Sequence, residues 1–246
     1  MISAPFRCFV TGTDTDVGKT LVSSALLHAL VQTGVSAVGM KPIAAGCTTQ
    51  QGRWRNDDIE QLRAAGNVAI ADDLRCQYLF EPFCAPHIAA AQVGVNIELV
   101  PILNAYQTLC TQSNALLVEG VGGFRVPLSS RVDTADLAQQ LSQLAHLPLV
   151  LVVGLRLGCI NHALLTVEAI AARGLQLAGW VANQLDADMP YVAANIAALA
   201  ERIPAPLLGC VPRLAAPSAA AVAAYLDFSV LPNWPNAPVG GKSVPN

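Results

Sequence analysis

Residues 6–10 form a short, mostly apolar run, and soon after it the chain reads Gly12-Thr13-Asp14-Thr15-Asp16-Val17-Gly18-Lys19-Thr20. A strand that ends in such a loop and passes straight into a helix leaves few folds open. The loop's N–H groups can wrap a polyphosphate, and the positive end of the following helix favours the same anion. Lys19 is then placed to reach β- and γ-phosphates, and the Thr20 hydroxyl to bind Mg²⁺. One detail departs from the plain G-x-x-x-x-G-K-T spacing: Thr13 stands at the first glycine position and Gly12 precedes it.

Beyond the loop, short β-type runs alternate with helical stretches. Strands are expected over 7–11, 36–40, 115–118, 149–153, 177–181 and 207–210, and helices over 19–33, 57–65, 99–112, 134–145, 160–172 and 191–202. Runs such as 115–118 and 149–153 are apolar throughout, as strands covered by helices on both faces are. The expected fold is therefore α/β: a doubly wound, mostly parallel sheet in one domain over 1–231. Residues 47–98 lack periodicity and read as an insertion over the site. The stretch 215–224 reads as an Ala-rich helix, and the Pro/Gly-rich tail 232–246 as loosely ordered.

Composition narrows the function. Apolar residues make up 53% of the 246 and charged residues only 13%, so most segments must be buried. A net charge of -3 supplies no basic field for nucleic acid or an acidic membrane, so neither is expected as a partner. The seven cysteines never form a C-x-x-C pair, and reduced thiols in a cytoplasmic protein are expected. The apolar run 6–10 is too short for a signal-peptide core. The stretch 147–155 contains Pro148 and Gly154 and is too short to span a bilayer.

In open α/β sheets, functional groups gather past the carboxyl ends of the strands. Glu119 closes one apolar run and is followed by Gly120-Val121-Gly122-Gly123; it is a hard-oxygen Mg²⁺ ligand or an ordinary strand-end acid. Lys41 ends the second strand, at the edge of the cleft that Lys19 faces, and two ammonium groups there suit an anionic intermediate. Asp57 and Asp58 open a helix; either could bind metal, and both also suit a helix start. The segment Leu157-Gly158-Cys159-Ile160-Asn161-His162 opens another helix and is either a carboxylate site or a plain strand-to-helix turn. Asn183 either pairs with a base or caps a turn. His28 and His146 read as structural, whereas His87 and His162 stay open.

Taken together, residues 12–20, 41–46, 56–58, 86–87, 119–123, 157–162 and 179–183 resemble the dethiobiotin synthetase family, in order and at similar spacing. The resemblance covers about residues 9–214, and Lys41-Pro42 with 157–162 is more specific than the phosphate loop. It implies an ATP-dependent ring closure: 7,8-diaminononanoate and CO₂ give dethiobiotin, ADP and phosphate through a carbamate and a carbamic–phosphoric anhydride. Carried over residue by residue, it implies Lys41 and Lys19 as catalytic groups and Thr20, Asp58 and Glu119 as Mg²⁺ ligands. It places the nucleotide on Asp16, Val17, Gly18, Lys19, Thr20, Leu21, Gly120, Val121 and Gly122, with Asn183, Gln184, Val211, Pro212 and Arg213 at the base. The substrate would meet Thr15, Lys41, Ala45, Gly158, Cys159, Ile160 and Asn161. The family works as a homodimer, with this site at the subunit interface.

Three positions depart from the family pattern. Ala45 stands where a substrate-contacting Ser or Thr is common, Gln184 where an acid often follows the base-reading Asn, and Ala216 where an acid near the ribose is expected. Two rival readings remain at this level: a small-molecule kinase, and a ParA/MinD-like ATPase switch. The switches carry a signature lysine five residues before the loop lysine, where this chain has Asp14.

Overall fold

The computed structural model describes residues 4–50 and 52–235. Its ten strands are β1 Phe6–Gly12, β2 Ala37–Met40, β3 Ile43–Ala45, β4 Thr48–Gln50, β5 Arg53–Arg55, β6 Tyr78–Phe80, β7 Ala115–Glu119, β8 Leu149–Leu155, β9 Leu177–Gln184 and β10 Leu207–Val211. Nine helices accompany them among the described residues. They are α1 Lys19–Gln32, α2 Asp57–Ala65, α3 Asp72–Arg75, α4 Pro86–Gln92, α5 Leu99–Gln112, α6 Thr134–Leu144, α7 Cys159–Ala172, α8 Val192–Ala200 and α9 Ala219–Ala223.

Six strands form one sheet in the order β10-β9-β8-β1-β7-β2, and every neighbouring pair is parallel. Both faces are covered, as the continuous apolar runs require. On β1, Phe6, Cys8 and Val10 pack with α1, α2 and α9, while Phe9 faces the opposite core beneath α5 and α6. β8 divides likewise: Val150 and Val152 face the α1 side, and Leu151 and Val153 face α7 and α8. The chain leaves β1 for β2 on one side and later returns to β8 on the other. The loop after β1 therefore lies at the switch point of the sheet, where open α/β folds place their ligands.

The 47–98 stretch is more ordered than its lack of periodicity suggested. β3 pairs in parallel with β6, β4 and β5 form a hairpin, and α2, α3 and α4 fill the remainder. Elements of three or four residues carry no usable period, which explains why they were not expected. The Ala-rich helix is confined to Ala219–Ala223, with Ser218 as its N-cap. The expected tail boundary after residue 231 falls too early. Trp234 stacks on Phe228 at 5.6 Å and meets Phe6 edge-on at 5.5 Å, so the aromatic side chain, not the Pro content, decides this segment. Residues 236–246 lie outside the described residues.

Arg7 is the one charged residue of β1, and it is buried. Its guanidinium donates to the carbonyls of Phe6, Cys110, Ser113 and Asn114, closing the carboxyl end of α5 where carbonyls lack helical partners. Arg7→Leu strips the guanidinium from those carbonyls, of which Asn114 O keeps the Phe6 N–H, so stability should fall by about 3 kcal/mol. For a domain of this size that lowers Tm by about 6–12 °C in a melting experiment. An unchanged Tm would mean that water serves the carbonyls equally well.

Candidate active site

The loop after β1 is shaped by two glycines. Gly18 has φ +91°, and a Cβ there would lie 2.2 Å from Asn183 Nδ2; a Cβ on Gly12 would lie 2.6 Å from Val17 Cγ2. Asn183 reaches the loop from β9 and donates its amide to Val17 O at 2.8 Å. Val17 itself is buried in the core, so only its backbone serves the site. Gly18→Ala must break the Asn183 contact and hold alanine in the left-handed region, at about 1–2 kcal/mol. ATP affinity should fall about tenfold or more, measurable as a dissociation constant, with nucleotide binding lost before the fold is.

Past the carboxyl ends of β1, β2 and β7, five side chains converge. Thr20 Oγ1 lies 2.7 Å from Asp58 Oδ1 and 2.8 Å from Glu119 Oε1. Lys41 Nζ is 2.5 Å from Glu119 Oε1, 3.0 Å from Asp58 Oδ2 and 3.3 Å from Gly120 O. Lys19 Nζ crosses the loop to Asp14 O at 2.8 Å. Of the two acids that open α2, Asp58 is the one in this cluster: Asn56 caps the helix, and Asp57 is exposed.

The charges of this cluster are set by burial and by one another. Burial alone would lower the Lys41 pKa, but Glu119 and Asp58 outweigh it and hold the ammonium above its usual range. Burial lowers Lys19 to about 8, with Lys41 repelling it further and Glu119, Asp58 and Asp16 opposing. Asp58 lies below the usual carboxylate range because Lys41 and the Thr20 hydroxyl outweigh its burial. Lys41 was expected at a cleft edge; it is 3% exposed, and Glu119 beside it is fully buried. The pair is enclosed because β2 and β7 are neighbours and their ends face each other.

A cavity of about 650 Å³ opens beside the cluster. Thr15, Asp16, Gly18, Lys19, Thr20 and Leu21 line it from the loop and the start of α1, Lys41, Ala44, Ala45 and Asp58 from the end of β2, β3 and α2, and Val121 and Gly122 from beyond β7. Gln61, Phe83, Cys84, Ala85, Pro86 and Val126 also line it and were not among the expected site residues. Gln61 was legible, since it lies three residues beyond Asp58 on the same helix face. Phe83 was not, because it arrives only through the β3–β6 pairing.

Other expected residues lie elsewhere. Gly158, Cys159, Ile160 and Asn161 do not line this cavity in their own chain. Gly158 is the N-cap of α7 with φ +93°, and Leu157 before it is 99% exposed. The Cys159 side chain is buried in the α7–α8 core, and its N–H already donates to Arg156 O, so neither can meet a ligand there. His87 does not line the cavity, and His162 lines a separate one. Asn183 pairs with Val211 across β9 and β10, which puts Pro212 and Arg213 directly after the same sheet end. Gln184 folds back onto Asp186 O and Ala187 O. All seven cysteines are free, three of them buried. Among the described residues, no helix is long and apolar enough to cross a membrane.

Comparison with known proteins places this geometry. An AAA domain family model matches residues 7–221. A protein of Janthinobacterium sp. (strain Marseille) named ATP-dependent dethiobiotin synthetase BioD is 59% identical over 96% of this chain and 100% of its own length. Proteins of the same name from Ralstonia nicotianae and Aromatoleum aromaticum are each 53% identical over 92% of this chain, and 97% and 98% of theirs. The chain belongs to the dethiobiotin synthetase family. Solved structures carry the fold more widely. A ParA family ATPase from Chlorobium tepidum superposes with TM-score 0.52 at 12% identity, covering 86% of each chain. FtsY from Thermotoga maritima does so with 0.52 at 16%, covering 89% of this chain and 65% of that one. At such identities the likeness is one of P-loop architecture, so it does not favour the ATPase-switch reading. A dethiobiotin synthetase without the switch lysine accounts for Asp14, whose carboxylate here pairs with Arg156.

Proposed function

We propose that this chain closes the ureido ring of dethiobiotin from 7,8-diaminononanoate and CO₂, converting ATP to ADP and phosphate. The observation that carries the reading is the enclosed Lys41, held between Asp58 and Glu119 beside the phosphate loop and open to one cavity. Each stage of the reaction is anionic: a carbamate forms, its oxygen attacks the γ-phosphate, and the second amine displaces phosphate from the mixed anhydride. Lys19 and Lys41 are cations aimed at that charge, and neither need become a nucleophile.

The residues fit a Mg²⁺ ion. Thr20, Asp58 and Glu119 present hard oxygens within hydrogen-bond range of a common point, and Glu119 Oε2 is buried without a partner. These three would hold the ion, which supplies further positive charge at the transferring phosphoryl group. At the base, one Asn183 amide hydrogen is committed to Val17 O, leaving the other hydrogen and Oδ1 for an adenine edge. Gln184, where the acid is missing, closes a local turn on Asp186 O and Ala187 O. The substrate's carboxylate is assigned to Gly158, Cys159, Ile160 and Asn161 of a second copy, through a homodimer. Because Cys159 is committed to its own core, that contact rests on the N–H groups of Ile160 and Asn161 and on the Asn161 side chain. A cytoplasmic setting supplies ATP, bicarbonate and reducing conditions for the free thiols.

Omission of reactants tests the reading. Phosphate release should need ATP, bicarbonate and the diamine together, and dethiobiotin should accumulate. Phosphate release from ATP alone at the full rate would favour a switch, and a stable phosphorylated diamine would favour a kinase. Ala45 offers a finer check. Its side chain lines the cavity without a hydroxyl, so Ala45→Ser should lower KM for the diamine by about 0.5–1.5 kcal/mol, or two- to tenfold, and leave KM for ATP alone.

A further inference from the structure

Phe83 is 78% exposed, and among the described residues it is the one aromatic side chain that lines the cavity. Its ring is nevertheless placed. Gly46 has φ +77°, and a Cβ there would lie 2.6 Å from Phe83 Cδ2, so the ring sits against bare backbone at the end of β3. Gly46 N donates to Pro82 O and Cys47 N to Phe80 O, which fastens the loop carrying Phe83 to that strand. Gly46 follows Ala45, and Lys41 is at the other end of the same short segment. Phe83 therefore stands at the Gly46 end of that segment, on the cavity wall that Ala45 also lines, with Cys84, Ala85 and Pro86 continuing an apolar wall.

We propose that Phe83 covers the reacting end of the bound diamine and keeps water from the mixed anhydride. The inference rests on the ring-closing reaction argued above. The carbamic–phosphoric anhydride has two possible attackers at its carbonyl carbon. The neighbouring amine gives dethiobiotin and phosphate; water gives back the carbamate and phosphate, and one ATP is spent without product. The same C–O bond breaks in both cases, so the yield is decided by how closely the amine is held to the carbonyl and by how far water is excluded. An apolar ring held at the cavity mouth does this without touching the charged cluster.

The test compares phosphate released with dethiobiotin formed, at saturating ATP, bicarbonate and diamine. Wild type should give close to one phosphate per product. Phe83→Ala should raise the ratio by about threefold or more, through added hydrolysis. Phe83→Leu, which keeps an apolar cover, should stay near the wild-type ratio. Neither exposed substitution should move Tm. Wild type that makes dethiobiotin beside a Phe83→Ala variant with an unchanged ratio overturns the inference alone. Wild type that makes none overturns the reaction on which it rests.

Discussion

Lys41→Ala is expected to lower kcat by about a hundredfold or more, because it removes a positioned cation from the developing charge. It is also expected to destabilise the protein by about 3–5 kcal/mol, the cost of leaving a buried partner charge without compensation. The second effect follows from the burial of Glu119, and it reverses what the sequence suggested for a lysine at a cleft edge. The two effects separate in a cycle with Glu119→Gln. The double variant has no stranded charge, so its Tm should recover most of the loss while kcat stays down. Steady-state kinetics beside melting curves measure both. A Lys41→Ala enzyme with near wild-type turnover would remove Lys41 from the chemistry, and a Tm that stays low in the double variant would remove the ion pair as the cause.

Mixing two inactive variants should restore activity to about a quarter of wild type, given a two-fold dimer whose sites are each completed by both subunits. One variant is Lys41→Ala/Glu119→Gln, which disables the charge cluster. The other is Asn161→Asp, which sets a negative charge against the substrate's carboxylate at an exposed position near the start of α7. Refolding them together makes half of the dimers mixed. If Lys41 and Asn161 act across the interface, each mixed dimer has one intact site and one doubly damaged site. If both serve the same chain's cavity, every site is damaged and nothing returns. The placement of 158–161 off the cavity wall of its own chain favours the quarter.

What the sequence revealed, and what it hid, follows the length of each element. All six strands of the central sheet and all six long helices were expected within a few residues, since each buries enough apolar side chain to impose a period or an unbroken run. Thr20, Lys41 and Glu119 were legible as residues because Thr20 opens α1 after the loop, and Lys41 and Glu119 stand at the carboxyl ends of strands. Their contact was not legible, since it depends on β7 lying between β1 and β2, a fact of strand order. The residues alone left Asp57 and Asp58 open and only the resemblance named Asp58; the phase of α2, set by the Asn56 cap, is what turns it toward the cluster. Phe83 and Trp234 were hidden for a common reason: each is held by tertiary partners, Gly46 in one case and two aromatic rings in the other, with no local pattern to betray it.

The hydrogen bond from Asn183 to Val17 O joins two selections that are usually treated apart. The residue proposed to face the base also braces the loop after β1, so on that assignment position 183 is not altered for base preference without loosening the phosphate seat. Asn183→Ala should therefore weaken ATP, CTP and GTP alike instead of exchanging one for another. On the same assignment, a change of nucleotide preference would enter through Gln184 or the 211–213 segment, where, among the described residues, no side-chain hydrogen bond reaches back to the loop.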